Sequence, residues 1–182
     1  AILGFYNRAD EKDLILLSDV DEIPNPKIIE ILKEKNLNTP HYLEMEWYMY
    51  FINNKVCDPW FGTVAFNFEI LKDKSLDLLR YSSKDKKNIP GEMVQEGGWH
   101  FSYLGGEKAI LEKLRAHPYQ GKKAQISMLL NKLGIRTLKK TINVNKDILL
   151  QNRKFEIVPI DETFPNLIRN NKYLIEKYSM LG

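Results

Sequence analysis

The chain has 182 residues, 43% of them hydrophobic, with a formal net charge of +3 and a single cysteine. The length suits one domain with a packed core, and scattered lysines with so small a charge give nucleic-acid binding no support. Lone Cys57 excludes an internal disulfide and a cysteine zinc cluster, and no apolar run approaches the roughly 20 residues that span a bilayer.

Ala1 to Arg8 reads as the tail of a helix and Ala9 to Asp13 as a polar turn. Leu14 to Leu17 contains no polar residue, so it reads as a strand buried on both faces. Ser18-Asp19-Val20-Asp21-Glu22 follows, placing two carboxylates two positions apart where the strand ends. Open α/β sheets bind ligands at the carboxyl ends of their strands. Paired hard oxygen ligands there suit Mg²⁺ or Mn²⁺ shared with a substrate diphosphate, while the Asp-x-Asp tripeptide by itself reads equally as a solvated turn before a helix. Glu22 reads as a cap for the next helix or a solvent-facing side chain. Asn25 is a good N-cap and Pro26 a good first residue for a helix running to about Lys35, with Ile28, Ile31 and Leu32 on one face.

Asn36 to Pro40 is a loop. His41 to Ile52 is too aromatic for a helix and reads as a long strand. Leu43, Met45, Trp47, Met49 and Phe51 form its core face. Tyr42, Glu44, Glu46, Tyr48 and Tyr50 form the other, which reads either as the lining of a sugar site or as a partly solvated face. Cys57 reads as a small buried hydrophobe. Asp58 to Gly62 is a loop, Thr63 to Phe68 a short strand and Asp73 to Arg80 a short helix. Tyr81 to Gly98, polar and glycine-containing, resembles a mobile active-site loop.

Trp99 to Tyr103 is a short strand between Gly97-Gly98 and Gly105-Gly106; such glycines allow tight turns or close approach to a ligand. Glu107 to Ala116 is a helix with Ile110, Leu111 and Leu114 as its apolar face. A further helix is expected over Lys123 to Leu133, and Lys139 to Leu150 is ambiguous. A strand is expected over Phe155 to Ile160 and a final helix over Asn166 to Tyr178.

Three segments, in this order, carry a family resemblance: Ser18-Asp19-Val20-Asp21-Glu22-Ile23-Pro24, the aromatic strand leading to Asp58-Pro59-Trp60, and Gly97-Gly98-Trp99-His100-Phe101-Ser102. Phe164-Pro165 with Ile168, Asn171 and Tyr173 adds a closing segment. Together they resemble glycosyltransferase family 17, which includes an N-acetylglucosaminyltransferase that adds bisecting GlcNAc to N-glycans. The resemblance implies a GT-A-like α/β fold, a mixed, mostly parallel sheet flanked by helices. It also implies a UDP-sugar donor, a glycan or glycoconjugate acceptor, Mn²⁺ or Mg²⁺, and inversion at the anomeric carbon. Only Ala1 to Ser18 precede Asp19, so residues 1–182 are expected to be a single glycosyltransferase-like domain forming the C-terminal part of a longer GT-A domain. Much of the N-terminal nucleotide-binding half would then be lacking.

Within that resemblance Asp21 is the expected direct metal ligand, with Asp19 on ribose, the metal or its bound water, and His100 completing the metal shell or touching the diphosphate. An inverting transfer needs a carboxylate base. Glu96 is the first candidate, with Asp58, Glu46 and Glu44 as alternatives. Trp99 and Trp60 are expected to stack on sugar, Trp47 to pack in the core, and Lys108 and Arg115 to help hold diphosphate. His41 and His117 read as structural. The competing functional readings are a non-catalytic carbohydrate-binding or partner module and a phosphoryl-transfer enzyme; the absence of a G-x-x-x-x-G-K-[ST] loop opposes the P-loop form of the latter. The lack of Asn-x-Ser/Thr sequons and the Lys-, Asn- and Ile-rich composition lean towards a bacterial or viral cytoplasmic enzyme, or a Golgi one if an anchor precedes the sequence.

Overall fold

A computed structural model describes residues 8–83, 90–116, 129, 132, 136, 138–142, 146–148 and 151–180. The helices expected over 1–8 and 123–133, and His117, lie largely or wholly outside the described residues. In chain order the elements are β1 (Leu14–Leu17), β2 (Glu22–Pro24), α1 (Pro26–Lys33), β3 (His41–Met49), β4 (Asn54–Val56) and β5 (Trp60–Asn67). A 3₁₀ turn (Phe68–Lys72) leads to α2 (Leu76–Ser82), β6 (Glu92–Ser102), α3 (Gly106–Ala116), β7 (Phe155–Ile157), α4 (Asn166–Arg169) and α5 (Lys172–Tyr178). Among the described residues no helix is long and apolar enough to cross a membrane.

The chain divides into two compact units, Ala1–Glu46 with Pro59–His100, and Trp47–Asp58 with Phe101–Gly182. In the first, β1 pairs antiparallel with β5, from Leu14 opposite Asn67 to Leu17 opposite Val64. β5 pairs antiparallel with the start of β3, and β2 with the end of β6. β6 also pairs with β3. It runs in the same direction: the Glu92 amide donates to the Pro40 carbonyl at one end, and the Tyr50 amide to the Ser102 carbonyl at the other.

The sheet is therefore mixed but mostly antiparallel, a correction to the mostly parallel sheet the resemblance implied. Connection length explains it. A parallel return needs a crossover of a dozen residues or more, whereas residues 50–53 alone join β3 to its partner β4 and residues 50–59 lie between β3 and its partner β5.

Helices cover both faces of the first unit's sheet. On one face Ile15, Leu17, Tyr42, Val64 and Phe66 pack with Ile70, Leu71, Leu76 and Leu79 from the 3₁₀ turn and α2. On the other, Leu14, Leu16, Leu43, Met45, Ala65 and Trp60 pack with Ile28 and Leu32 of α1 and with Leu37. Both faces of β1 meet apolar partners, as its composition implied, yet all four of its residues are only half-buried. α1 starts as expected: Asn25 Oδ1 accepts the Lys27 amide and Pro26 follows. Ile31, expected on its apolar face, is exposed instead.

The second unit overturns the sugar-lining reading of the aromatic strand. Tyr48 stacks on Phe101, with centroids 5.2 Å apart, and meets Phe164 at 5.1 Å. Tyr50 packs against Phe155 and Tyr103, and its phenol oxygen accepts the Ile148 amide. Burial pushes that phenol well above its ordinary pKa. Tyr42, in the first unit, is also buried. Trp47 packs as expected, with the Arg153 guanidinium 4.7 Å over its ring. Cys57 is exposed rather than buried. In α3, Ile110, Leu111 and Leu114 are buried as their spacing implied. The expected final helix is two, α4 and α5, the second capped by Asn171 Oδ1 accepting the Leu174 amide.

From Glu92 onward the segment before Trp99 is strand, not loop, while residues 84–89 lie outside the described residues. Its glycines serve packing: a Cβ on Gly98 (φ +143°) would lie 2.2 Å from the Ile23 carbonyl oxygen, and one on Gly97 2.6 Å from Leu43 Cβ. Gly106 (φ +77°) has no neighbour within 4 Å of that position. Gly98→Ala should therefore lower unfolding free energy by more than about 2 kcal/mol, combining backbone strain with overpacking, and Gly106→Ala by about 1 kcal/mol from strain alone. Urea unfolding followed by circular dichroism reads the difference; equal losses would contradict the close β2–β6 approach.

Candidate functional site

The acidic segment after β1 is a four-residue turn closed twice. The Glu22 amide donates to the Asp19 carbonyl at 3.1 Å, and the Glu22 carboxylate accepts the Asp19 amide at 2.9 Å. Val20 and Asp21 occupy its centre. Val20 is fully exposed and Asp21 half-buried.

Glu22 is buried, a correction to the helix-capping or solvent-facing reading. A carboxyl group is tolerated inside a protein only when its oxygens are hydrogen-bonded. Its Oε1 accepts the Trp60 indole N–H at 2.8 Å, and its Oε2 accepts the Thr63 hydroxyl at 3.2 Å as well as the Asp19 amide. With the Thr63 proton committed to Glu22, Ser18 donates to Thr63 at 2.8 Å. Gly62 leaves room for this group, since a Cβ there would lie 1.8 Å from Glu22 Oε1.

β2 then aligns with β6, placing Glu22 opposite His100, Ile23 opposite Trp99 and Pro24 opposite Gly98. Asn25 fastens the junction: its amide donates to the Gly97 carbonyl at 2.9 Å and its side-chain amide to the Glu96 carbonyl at 3.1 Å. His100 is buried, its ring parallel to that of Trp60 within 8° and 4.3 Å away, centroid to centroid. Its Nδ1 lies 3.6 Å from Asp21 Oδ1. Two of the three expected metal ligands thus meet, although they lie 79 positions apart in the chain. The third, Asp19, is ion-paired with Arg80 of α2.

The donor types fit a small divalent cation. Carboxylate oxygen suits Mg²⁺ and Mn²⁺, and imidazole also binds Mn²⁺. Among the described residues no group of three His, Cys, Asp or Glu side chains converges as a metal site. Asp21 and His100 would supply two donors, and such ions commonly complete their shell with substrate phosphate and water.

The remaining candidates are distributed as follows. Glu96 is exposed on β6, in the left-handed region at φ +55°, four residues before His100. Trp99 is half-buried; alternation along β6 turns it to the face opposite His100. Asp58 and Lys108 are exposed and belong to the second unit. Glu44 is half-buried and Glu46 exposed. Trp60, expected to stack on sugar, stacks on His100. Glu22, Ser18, Thr63, Gly62 and Arg80 were missed. Gly62 carried a signal, because a strand-interior glycine marks close approach of another group; Arg80 carried none.

The family model of glycosyltransferase family 17 matches residues 4–182. No curated protein and no solved structure matches.

Replacing Glu22 by Gln keeps the shape but turns a donor group towards the Asp19 and Thr63 donors. Glu22→Gln should lower unfolding free energy by about 1–3 kcal/mol. Exposed Glu30→Gln on α1 should change it by less than about 0.5 kcal/mol. Urea titrations measure both; equal stability of the two variants would contradict the role given to Glu22.

Proposed function

The chain belongs to glycosyltransferase family 17, and on that premise we propose that it is an inverting, metal-dependent enzyme moving GlcNAc from UDP-GlcNAc to a hydroxyl of a glycan acceptor. The observation that carries this reading is the meeting of Asp21 with His100 at 3.6 Å on a turn made rigid by Glu22.

Asp21 and His100 would hold Mn²⁺ or Mg²⁺. Held there, such an ion would supply stabilisation of negative charge on a departing diphosphate. Asp19 and Arg80 stand beside that position as an anion and a cation. Asp19 would serve ribose or ion-bound water, and Arg80 would exchange its carboxylate partner for a phosphate oxygen when donor arrives. In the transfer, the acceptor oxygen forms a bond to the anomeric carbon as the bond from that carbon to UDP breaks. The acceptor proton passes to a carboxylate, for which Glu96, in the same unit as Asp21 and His100, is the candidate.

Calorimetry with UDP-GlcNAc, with and without Mn²⁺, tests the reading. Wild-type binding should require the ion, and Asp21→Asn should weaken it at least about tenfold, the lower end of what loss of a supporting metal-site group brings. Binding indifferent to both ion and substitution would overturn the metal site. Failure of wild-type protein to bind any sugar nucleotide would favour a non-catalytic module.

A further inference from the structure

Resting on the metal-site reading above, we propose that Trp60 is a positioning residue for His100, held in place by Glu22, rather than a platform for sugar. The polar edge of the indole is already committed, its N–H donating to Glu22 Oε1 at 2.8 Å. One ring face lies parallel to the imidazole at 4.3 Å.

The arrangement answers a specific problem. An imidazole on a strand can rotate about its outer side-chain bond and so swing its nitrogens away from a neighbouring carboxylate. A parallel indole confines the ring to one plane, and in that plane Nδ1 faces Asp21 at 3.6 Å. The indole is confined in turn. Glu22 anchors its N–H, and Gly62 allows the close fit, since a Cβ there would lie 2.3 Å from the indole nitrogen.

The same carboxylate closes the Asp19–Glu22 turn that carries Asp21. One buried side chain therefore governs both donors, Asp21 through the backbone and His100 through the indole. An ion-bound imidazole carries added positive charge, which the π face of an indole attracts. The stack would strengthen on metal binding rather than oppose it.

The test is Mn²⁺ binding to the protein without sugar nucleotide, followed by the electron paramagnetic resonance signal of free Mn²⁺. Wild type, Asp21→Asn, Trp60→Leu and Trp60→Phe are compared. Asp21→Asn reads the metal site itself. Trp60→Leu, which removes the aromatic face, should weaken Mn²⁺ binding about 10- to 100-fold, the range seen when a group orienting a metal ligand is lost. Trp60→Phe keeps a ring against the imidazole and should recover most of that loss, a rescue that a merely space-filling role would not order in this way.

The imidazole proton resonances supply a readout free of metal. Those of His100, identified by their loss in His100→Gln, should sit upfield in wild type and Trp60→Phe and move downfield in Trp60→Leu. If Trp60→Leu does not fold, Trp60→Phe against wild type carries the test through a smaller loss of affinity and a smaller ring-current shift. Wild-type Mn²⁺ affinity in Trp60→Leu, with loss in Asp21→Asn, would overturn the positioning role and leave the metal site standing. A Trp60→Leu variant that loses sugar-nucleotide affinity alone would restore Trp60 to sugar stacking. Undiminished Mn²⁺ binding in Asp21→Asn would overturn both proposals.

Discussion

One buried carboxylate organises the candidate site. Glu22 accepts hydrogen bonds from the Asp19 amide, the Trp60 indole and the Thr63 hydroxyl. These donors come from the turn and from β5. Leaving such a group unpaired inside the protein would be costly, so the turn and the strand are bound to a single arrangement. Asp21 is fixed because it lies inside that turn, and His100 because it stacks on the indole that Glu22 anchors. The metal-site candidates, half-buried Asp19 and Asp21 and buried His100, stand on a buried polar support.

The architecture around this support is a sheet with helical cover on both faces, formed within the first unit. Most strand pairs are antiparallel, and those of β3 with β4 and β5 follow from the tight connections between them. The acidic turn nonetheless sits at the end of an apolar strand and before a capped helix. Its geometry comes from local closure and from cross-strand contact with β6. Gly97 and Gly98 matter because β2 and β3 lie against them so closely that a side chain would collide. The pairing of Glu22 with His100 depends on that approach.

Much of the local structure was legible. Asn25-Pro26 declared the start of α1, the apolar run declared β1, and Ile110, Leu111 and Leu114 declared the buried face of α3. Asp21 and His100 could be named as partners only through family resemblance, because nothing local links two residues so far apart. Glu22 looked like a surface residue because its indole and hydroxyl partners lie about forty positions onward. Tyr48 and Tyr50 looked like a sugar platform because the rings that cover them, Phe101, Phe155 and Phe164, arrive from distant segments. Glycine content made the start of β6 look like a loop, when the glycines there serve close packing. The direction of the sheet was inferred from the family and not from connection lengths, which pointed the other way.

The most direct measurement is an anomalous difference map at the manganese absorption edge, from crystals of the protein grown with Mn²⁺ and UDP. A Glu22-supported pair of donors predicts one strong peak within bonding distance of an Asp21 carboxylate oxygen and His100 Nδ1, with Trp60 still stacked on the imidazole. A manganese peak bound to UDP and to other side chains, with Asp21 and His100 uninvolved, would contradict it.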